Sequence, residues 1–270
     1  MTIPNENNDI VKSNALIEAV YSPGSVYQMR LLMAALMQIK AKEPLDHRRR
    51  FYITANALAD MTGATAKNNY QELKKAADDL MNTVVHVDRD ENGQKQKKLL
   101  KINLVSSCEY LDQEGQVGLR FTEEILPHIS DLKKRFTQYQ AKYVMPMRSS
   151  YGIRLYELCL QWLGNEREFT VDDFRKLFGL EDKYPVVADL KKRVIEPALN
   201  DINTHSDIRV EFGQTKRGRR VHSFQFMIVK SKKEPESTPP SFDEYVRLNA
   251  RPGEDWKQAM QRLSPEYRKL

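Results

Sequence analysis

The sequence predicts an α+β fold of two tandem winged-helix domains with basic β-hairpin wings. Three observations predict it. One order of elements occurs twice along the 270 residues. Each copy ends in a strand–turn–strand pattern with cations at or beside the turn. Positive charge is concentrated in the second copy: from residue 183 to 233 there are 12 Lys/Arg against 5 Asp/Glu, a local balance of +7 where the whole chain carries +6. Charge gathered in this way is the footprint expected where phosphates are neutralised.

The first copy opens with Tyr27-Gln28-Met29-Arg30-Leu31-Leu32, after the stop signal Pro23-Gly24-Ser25. Met29, Leu32, Met33, Leu36 and Ile39 recur at helical spacing. The second opens with Tyr151-Gly152-Ile153-Arg154-Leu155, so that Tyr-x-x-Arg-Leu returns 124 residues later. Its apolar stripe is Leu155, Leu158, Cys159 and Trp162. A short β-like stretch and a brief helix follow each: Phe51-Tyr52-Ile53-Thr54 then 55–61, and Glu168-Phe169-Thr170 then 171–178. Thr54 and Thr170 stand where an N-cap is wanted. Gly63 and Gly179 stand where a helix end takes a left-handed residue. Third helices are expected over 67–82 and 186–203, with Leu73-Lys74-Lys75 matching Leu190-Lys191-Lys192. Helix, turn and helix is the helix-turn-helix plan.

Both copies then change to strand spacing. In the first, Thr83-Val84-Val85-His86-Val87 runs to the turn Asp90-Glu91-Asn92-Gly93, and Lys95, Lys97 and Lys98 precede a return strand over 99–105. This hairpin is expected to be the first wing. A further strand is expected at 118–122, a short helix at 123–129, extended chain at 136–139 and 142–144, and a junction at Met145-Pro146-Met147-Arg148. In the second copy 208–212 alternates, Lys216-Arg217-Gly218-Arg219-Arg220 turns, and 223–228 returns. The expected division is therefore a first winged-helix domain at 1–145, a second at 146–233, and a linker and tail at 234–270. The stretch 232–241 reads as linker.

A recognition helix reads base edges from its exposed N-terminal part. That nominates Asp189, Lys192 and Arg193, with Lys191 nearer the phosphates. A guanidinium such as that of Arg193 pairs bidentately with guanine. Pro197 lacks an amide donor and is expected to kink or break the helix. Lys216, Arg217, Arg219 and Arg220 put four cations on one tip, suited to phosphate or the minor groove. In the first copy Lys67, Asn68, Asn69, Tyr70, Lys74 and Lys75 are the matching candidates, diluted by Asp78 and Asp79. Ser149 and Ser150 start a helix, where they either cap it or help to hold a phosphate.

Other classes fit poorly. No run approaches the roughly 20 apolar residues that span a bilayer, and the polar stretch Met1 to Asp9 has no signal pattern, so a cytoplasmic protein with no membrane partner is expected. Two cysteines suggest neither a disulfide framework nor a zinc site. There is no G-x-x-x-x-G-K-[ST]. The five histidines, at 47, 86, 128, 205 and 222, form no His-apolar-His pair beside a nucleophilic tyrosine. No enzyme, cofactor or metal is expected. Two other readings stay open: a transcriptional repressor without an origin role, and an assembly protein that uses winged helices as interaction modules.

Tyr151-Gly152-Ile153-Arg154-Leu155-Tyr156-Glu157-Leu158 resembles the opening of the second winged helix of iteron-binding plasmid replication initiators. Ile10-Val11-Lys12-Ser13-Asn14-Ala15-Leu16-Ile17 resembles their early segment. The resemblance covers roughly 10–230 and leaves the tail aside. It implies a protein that binds double-stranded DNA: direct repeats of an origin as a monomer, and an operator inverted repeat as a homodimer that represses its own gene. It also implies origin opening and host partners, namely the host initiator, the helicase and chaperones. In that family the second unit supplies the main base contacts, which here falls on Lys191, Lys192 and Arg193.

Overall fold

One sheet order, built twice, organises the chain. The computed structural model describes residues 9–62, 69–89, 98–231, 242, 245, 246 and 254–267. The first unit begins with β1 (Asp9–Ser13) and α1 (Asn14–Ile17), whose cap Ser13 accepts from the Leu16 amide. Next comes α2 (Val26–Leu36), capped by Ser25. Then follow β2 (Phe51–Thr54), α3 (Ala55–Thr62) and α4 (Asn69–Met81). Thr54 does cap: its hydroxyl accepts from the Ala57 amide at 3.0 Å. Gly63 lies outside the described residues. Four strands come next: β3 (Val84–Arg89), β4 (Lys98–Asn103), β5 (Val105–Leu111) and β6 (Gln116–Phe121). The expected short helix is a 3-10 helix, Glu123–His128, and β7 (Phe136–Gln140) returns to pair with β1.

The hairpin that completes the first winged helix is not the expected one. β2 pairs with β6, which pairs with β5, in the order β2-β6-β5. The 84–103 hairpin is a separate two-stranded sheet, joined by a bridge between Val20 and His86. The wing is therefore β5–β6, and its turn carries Asp112 and Glu114 before Gly115 at φ +58°. The expected wing turn, 90–97 with Lys95 and Lys97, lies outside the described residues.

The second unit keeps the expected order: α5 (Ser150–Leu160), β8 (Glu166–Thr170), α6 (Val171–Leu177), α7 (Val187–Leu190), a π-helical turn (Lys191–Ile195), α8 (Glu196–His205), β9 (Ile208–Arg217) and β10 (Arg220–Lys230). Its sheet, β8-β10-β9, repeats the first unit's arrangement. Phe169, Phe174, Phe224 and Phe226 fill the space between sheet and helices, with ring centroids 5.5–6.2 Å apart. Trp162 leaves the predicted core stripe. The helix stops at Leu160, and the indole is 43% exposed.

The repeated Tyr-x-x-Arg-Leu motif has a structural reason. Arg30 on α2 donates from Nε and Nη2 to the Met145 and Met147 carbonyls, each at 3.0 Å, in the segment that leads into α5. Arg154 on α5 reciprocates. It donates to the Ala19 carbonyl, ahead of α2, and stacks 3.8 Å from the Tyr21 ring centroid. Each arginine thus holds the approach to the helix that carries the other. Lys12 and Glu157 add a buried ion pair at 2.6 Å across the seam, to which the Tyr139 hydroxyl also donates. Arg167 grips Glu18 through both nitrogens, at 2.6 and 2.7 Å. Gly179 takes φ +60°, and a Cβ there would sit 3.0 Å from the Ser22 amide, so both conformation and closeness ask for glycine.

In the C-terminal part α9 (Trp256–Tyr267) buries Ala259 and Leu263 against Val246. Arg262 pairs with Glu254 at 2.7 Å. The expected linker, 232–241, lies outside the described residues.

Candidate nucleic-acid interface

α6 is anchored by Thr170, whose hydroxyl accepts from the Asp173 amide. The chain turns through Gly179 and enters the second unit's recognition helix at Val187. Leu190, Val194, Ile195, Ala198 and Ile202 face the core. Asp189, Lys192, Arg193 and Glu196 are exposed and, at i, i+3, i+4 and i+7, share the outer face. Pro197 does not break the rod. The wider i→i+5 turn over Lys191–Ile195 leaves it in the first turn of α8, where a missing amide costs least.

The second wing stands beside this helix. Lys191 Nζ donates to the Gln214 side chain on β9 at 3.1 Å and so ties helix to wing. Gly218 turns the tip at φ +62°, and Lys216, Arg217, Arg219 and Arg220 are all exposed. None of these four, nor Lys192 or Arg193, is in an ion pair with another described residue. Their charge is therefore available to a polyanion. Between the helix start and the wing tip runs a groove of about 610 Å³, lined by Val186, Val187, Ala188, Arg219, Arg220 and His222 among others. Val186, which the sequence reading does not nominate, is 57% exposed just before the helix. An exposed valine at this point suits a thymine methyl group. Its signal in the sequence is an apolar residue outside the core stripe.

The first unit arranges the same parts differently. Lys67 and Asn68 lie outside the described residues; Asn69 opens α4, and its side chain is not described. Tyr70 Oη donates to Asp112 Oδ1 at 2.6 Å, and Lys74 Nζ donates to the same oxygen at 3.1 Å. The candidate cation Lys74 is thereby engaged by the wing of its own unit. In return Tyr110 on the wing donates to Asp78 on the helix. Lys74 Nζ sits 5.4 Å from the ring centroids of both tyrosines. Desolvation and the Asp112 hydrogen bond push the Tyr70 hydroxyl up to about 12, while the Tyr70 and Lys74 donors pull the Asp112 carboxyl below its usual range. Lys75 is exposed, with no ion pair to a described residue.

The two serines have other partners than phosphate. Ser149 caps α5, its hydroxyl accepting from the Gly152 amide at 3.2 Å. Ser150 is buried and donates to the Gly24 carbonyl at 2.7 Å. The Arg148 and Ser149 amides both point at Asp201 Oδ2, at 2.9 and 2.6 Å. A carboxylate of the chain itself fills the place where an anion was expected. Among the described residues no three His, Cys, Asp or Glu converge as metal ligands, and no helix is long and apolar enough to cross a membrane.

The family described as Initiator Replication protein, WH1 matches residues 9–160, and that described as Initiator Rep protein, WH2 matches residues 170–228. A replication initiation protein of Escherichia coli is 27% identical over 229 residues, which cover 81% of this chain and 69% of that protein. The PI protein of Escherichia coli is 27% identical over 231 residues, 74% of this chain and 76% of that one. The crystal structure of the Pi initiator protein in complex with iteron DNA superposes with a TM-score of 0.69 at 24% identity, covering 85% of this chain and all of that one. At that identity the likeness shows the fold.

Proposed function

The chain belongs to the initiator replication protein family, and from that premise we propose that it starts plasmid replication by binding the direct repeats of an origin as a monomer. It then promotes opening of that origin, and as a dimer represses its own gene. It acts by binding, without catalysis of its own. The single observation that carries the reading is the set of exposed cations on the second recognition helix and wing that form no ion pair with a described residue. Asp189, Lys192 and Arg193 read base edges, and Arg193 takes a guanine. Lys216, Arg217, Arg219 and Arg220 hold the backbone beside them, with Lys191 nearer the phosphates. Lys75, and Lys74 once freed, add backbone contacts from the first unit, which also pairs subunits. Division into 1–145, 146–233 and a tail at 234–270 belongs to the same proposal. The Pi protein's complex with iteron DNA supports the choice of ligand.

Footprinting of the purified protein on the DNA that flanks its own gene tests this. Protection of direct repeats together with an inverted repeat is the expected result. Protection of an inverted repeat alone would make the protein a repressor without an origin role.

A further inference from the structure

The Asp112 contact in the first wing has a counterpart in the second. Lys74 and Lys191 hold the same place in the repeat, as the second residue of Leu-Lys-Lys near the start of each third helix. Both reach across to the wing of their own unit, each at 3.1 Å. Lys191 meets the neutral amide of Gln214 and keeps its full charge for a ligand. Lys74 meets the carboxylate of Asp112, which also accepts from Tyr70. An ammonium and a hydroxyl aimed at one carboxylate oxygen form a small anion site already filled by the chain itself. The site lies between the N-terminal part of a recognition helix and a wing tip, the place that faces the duplex in a winged helix.

We propose that Tyr70 Oη and Lys74 Nζ form a site for a DNA phosphate that Asp112 occupies in the free chain, so that Asp112 sets how strongly the first unit holds DNA. This rests on the DNA-binding reading above and names a regulator of it. Binding exchanges one anion for another. Lys74 gives up Asp112 and takes a phosphodiester oxygen, and Asp112 moves into solvent on its exposed turn. Asp112 is 69% exposed at its side chain, and a Cβ built on Gly115, which closes the same turn, would meet nothing within 4 Å, so the turn is open to solvent. The exchange leaves the net charge available to DNA one unit lower than the lysine count suggests. The first unit then contributes little until the second unit has placed the duplex against it.

The test compares duplex binding by the full chain and by variants across a salt series. Asp112→Asn keeps a side chain that Tyr70 can still bond while removing the charge. It is expected to bind specific and unrelated duplexes alike about three- to fivefold more tightly at low salt. The slope of log K against log salt should steepen by about 1, one further phosphate neutralised. Three further variants separate the site from bulk charge. Glu114→Gln removes a charge two residues away and should have a smaller effect. Asp112→Glu keeps the charge and should stay near the parent. Asp112→Asn in a Lys74→Ala background should bring no more gain than Glu114→Gln. A gain that persists at full size without Lys74, one matched by Glu114→Gln, or an unchanged slope would overturn the proposal. If the parent chain bound no duplex at any salt, the DNA-binding reading would fall with it. Duplex binding by the parent with no response to Asp112→Asn would remove the proposal alone.

Discussion

The two wings are built on the same strand order and carry opposite charge. In β9–β10 the tip is Lys216 to Arg220, and its four cations are exposed and form no ion pair with a described residue. In β5–β6 the tip is Asp112 to Gly115, and it is fastened to its helix through Tyr70, Lys74, Tyr110 and Asp78. One fold thus yields an open cationic surface in one copy and a closed, internally neutralised one in the other. The difference shows that the charge balance at the tip can change while the winged-helix topology stays fixed. The closed copy also brings β1, β7 and α1 to the seam with its neighbour, through Lys12, Tyr139 and the Glu18 that follows α1.

The largest effect should come from breaking that seam. Glu157 and Lys12 are both almost fully buried, so Glu157→Ala leaves an ammonium without its partner. A loss of about 3–5 kcal/mol is expected in chemical denaturation. A loss well under about 1 kcal/mol would mean that the units are independent and that the comparison is between two separate proteins on one chain.

Next in size is the open wing. Replacing Arg217, Arg219 and Arg220 with alanine should lower the salt slope of duplex binding by roughly 3, near 0.9 for each phosphate no longer neutralised, and weaken binding on the order of 100-fold. A retained slope would take the wing out of the interface and erase the contrast between the two tips.

The smallest effect is a response to acid in the second unit. Burial lowers the pKa of His205, at the end of α8, below its ordinary value, with Asp201 opposing. The unfolded chain then binds the proton more readily, so stability falls as pH drops through the ordinary histidine range. His205→Gln should reduce the stability lost between about pH 7.5 and about pH 5.5. An equal loss in the variant would place the acid response elsewhere.

Much of the architecture is legible in the sequence. The order strand, helix, helix, hairpin can be read twice because each step has a local signal: threonine caps at 54 and 170, a left-handed glycine at 179, and alternation over 208–212. The first wing is not legible, because two hairpins satisfy the same local pattern. Only the pairing of Phe51 with Leu119, 68 residues on, decides between them. The strand over 105–111, Val-Ser-Ser-Cys-Glu-Tyr-Leu, lacks clean alternation and carries no signal of its own. In the site, cations stand out through composition, whereas Asp112 does not, because its partners lie 38 and 42 residues away. Pro197 misleads for a related reason: the π-helical turn that absorbs it, over Lys191–Ile195, has no marker in the sequence.

The central claim, that the second unit reads the sequence and the first holds backbone, is tested most directly by one pair of variants. Lys192→Ala with Arg193→Ala alters the second recognition helix, and Lys74→Ala with Lys75→Ala alters the first. Both are titrated on an origin repeat and on a scrambled duplex at one salt concentration. The second-unit pair should lose binding to the repeat by about 10- to 100-fold, with much less change on the scrambled duplex, since a bidentate contact is worth ~1–3 kcal/mol of discrimination. The first-unit pair should lose a smaller and equal factor on both. Selective loss by the first-unit pair, or an equal loss on both duplexes by the second-unit pair, would contradict the account.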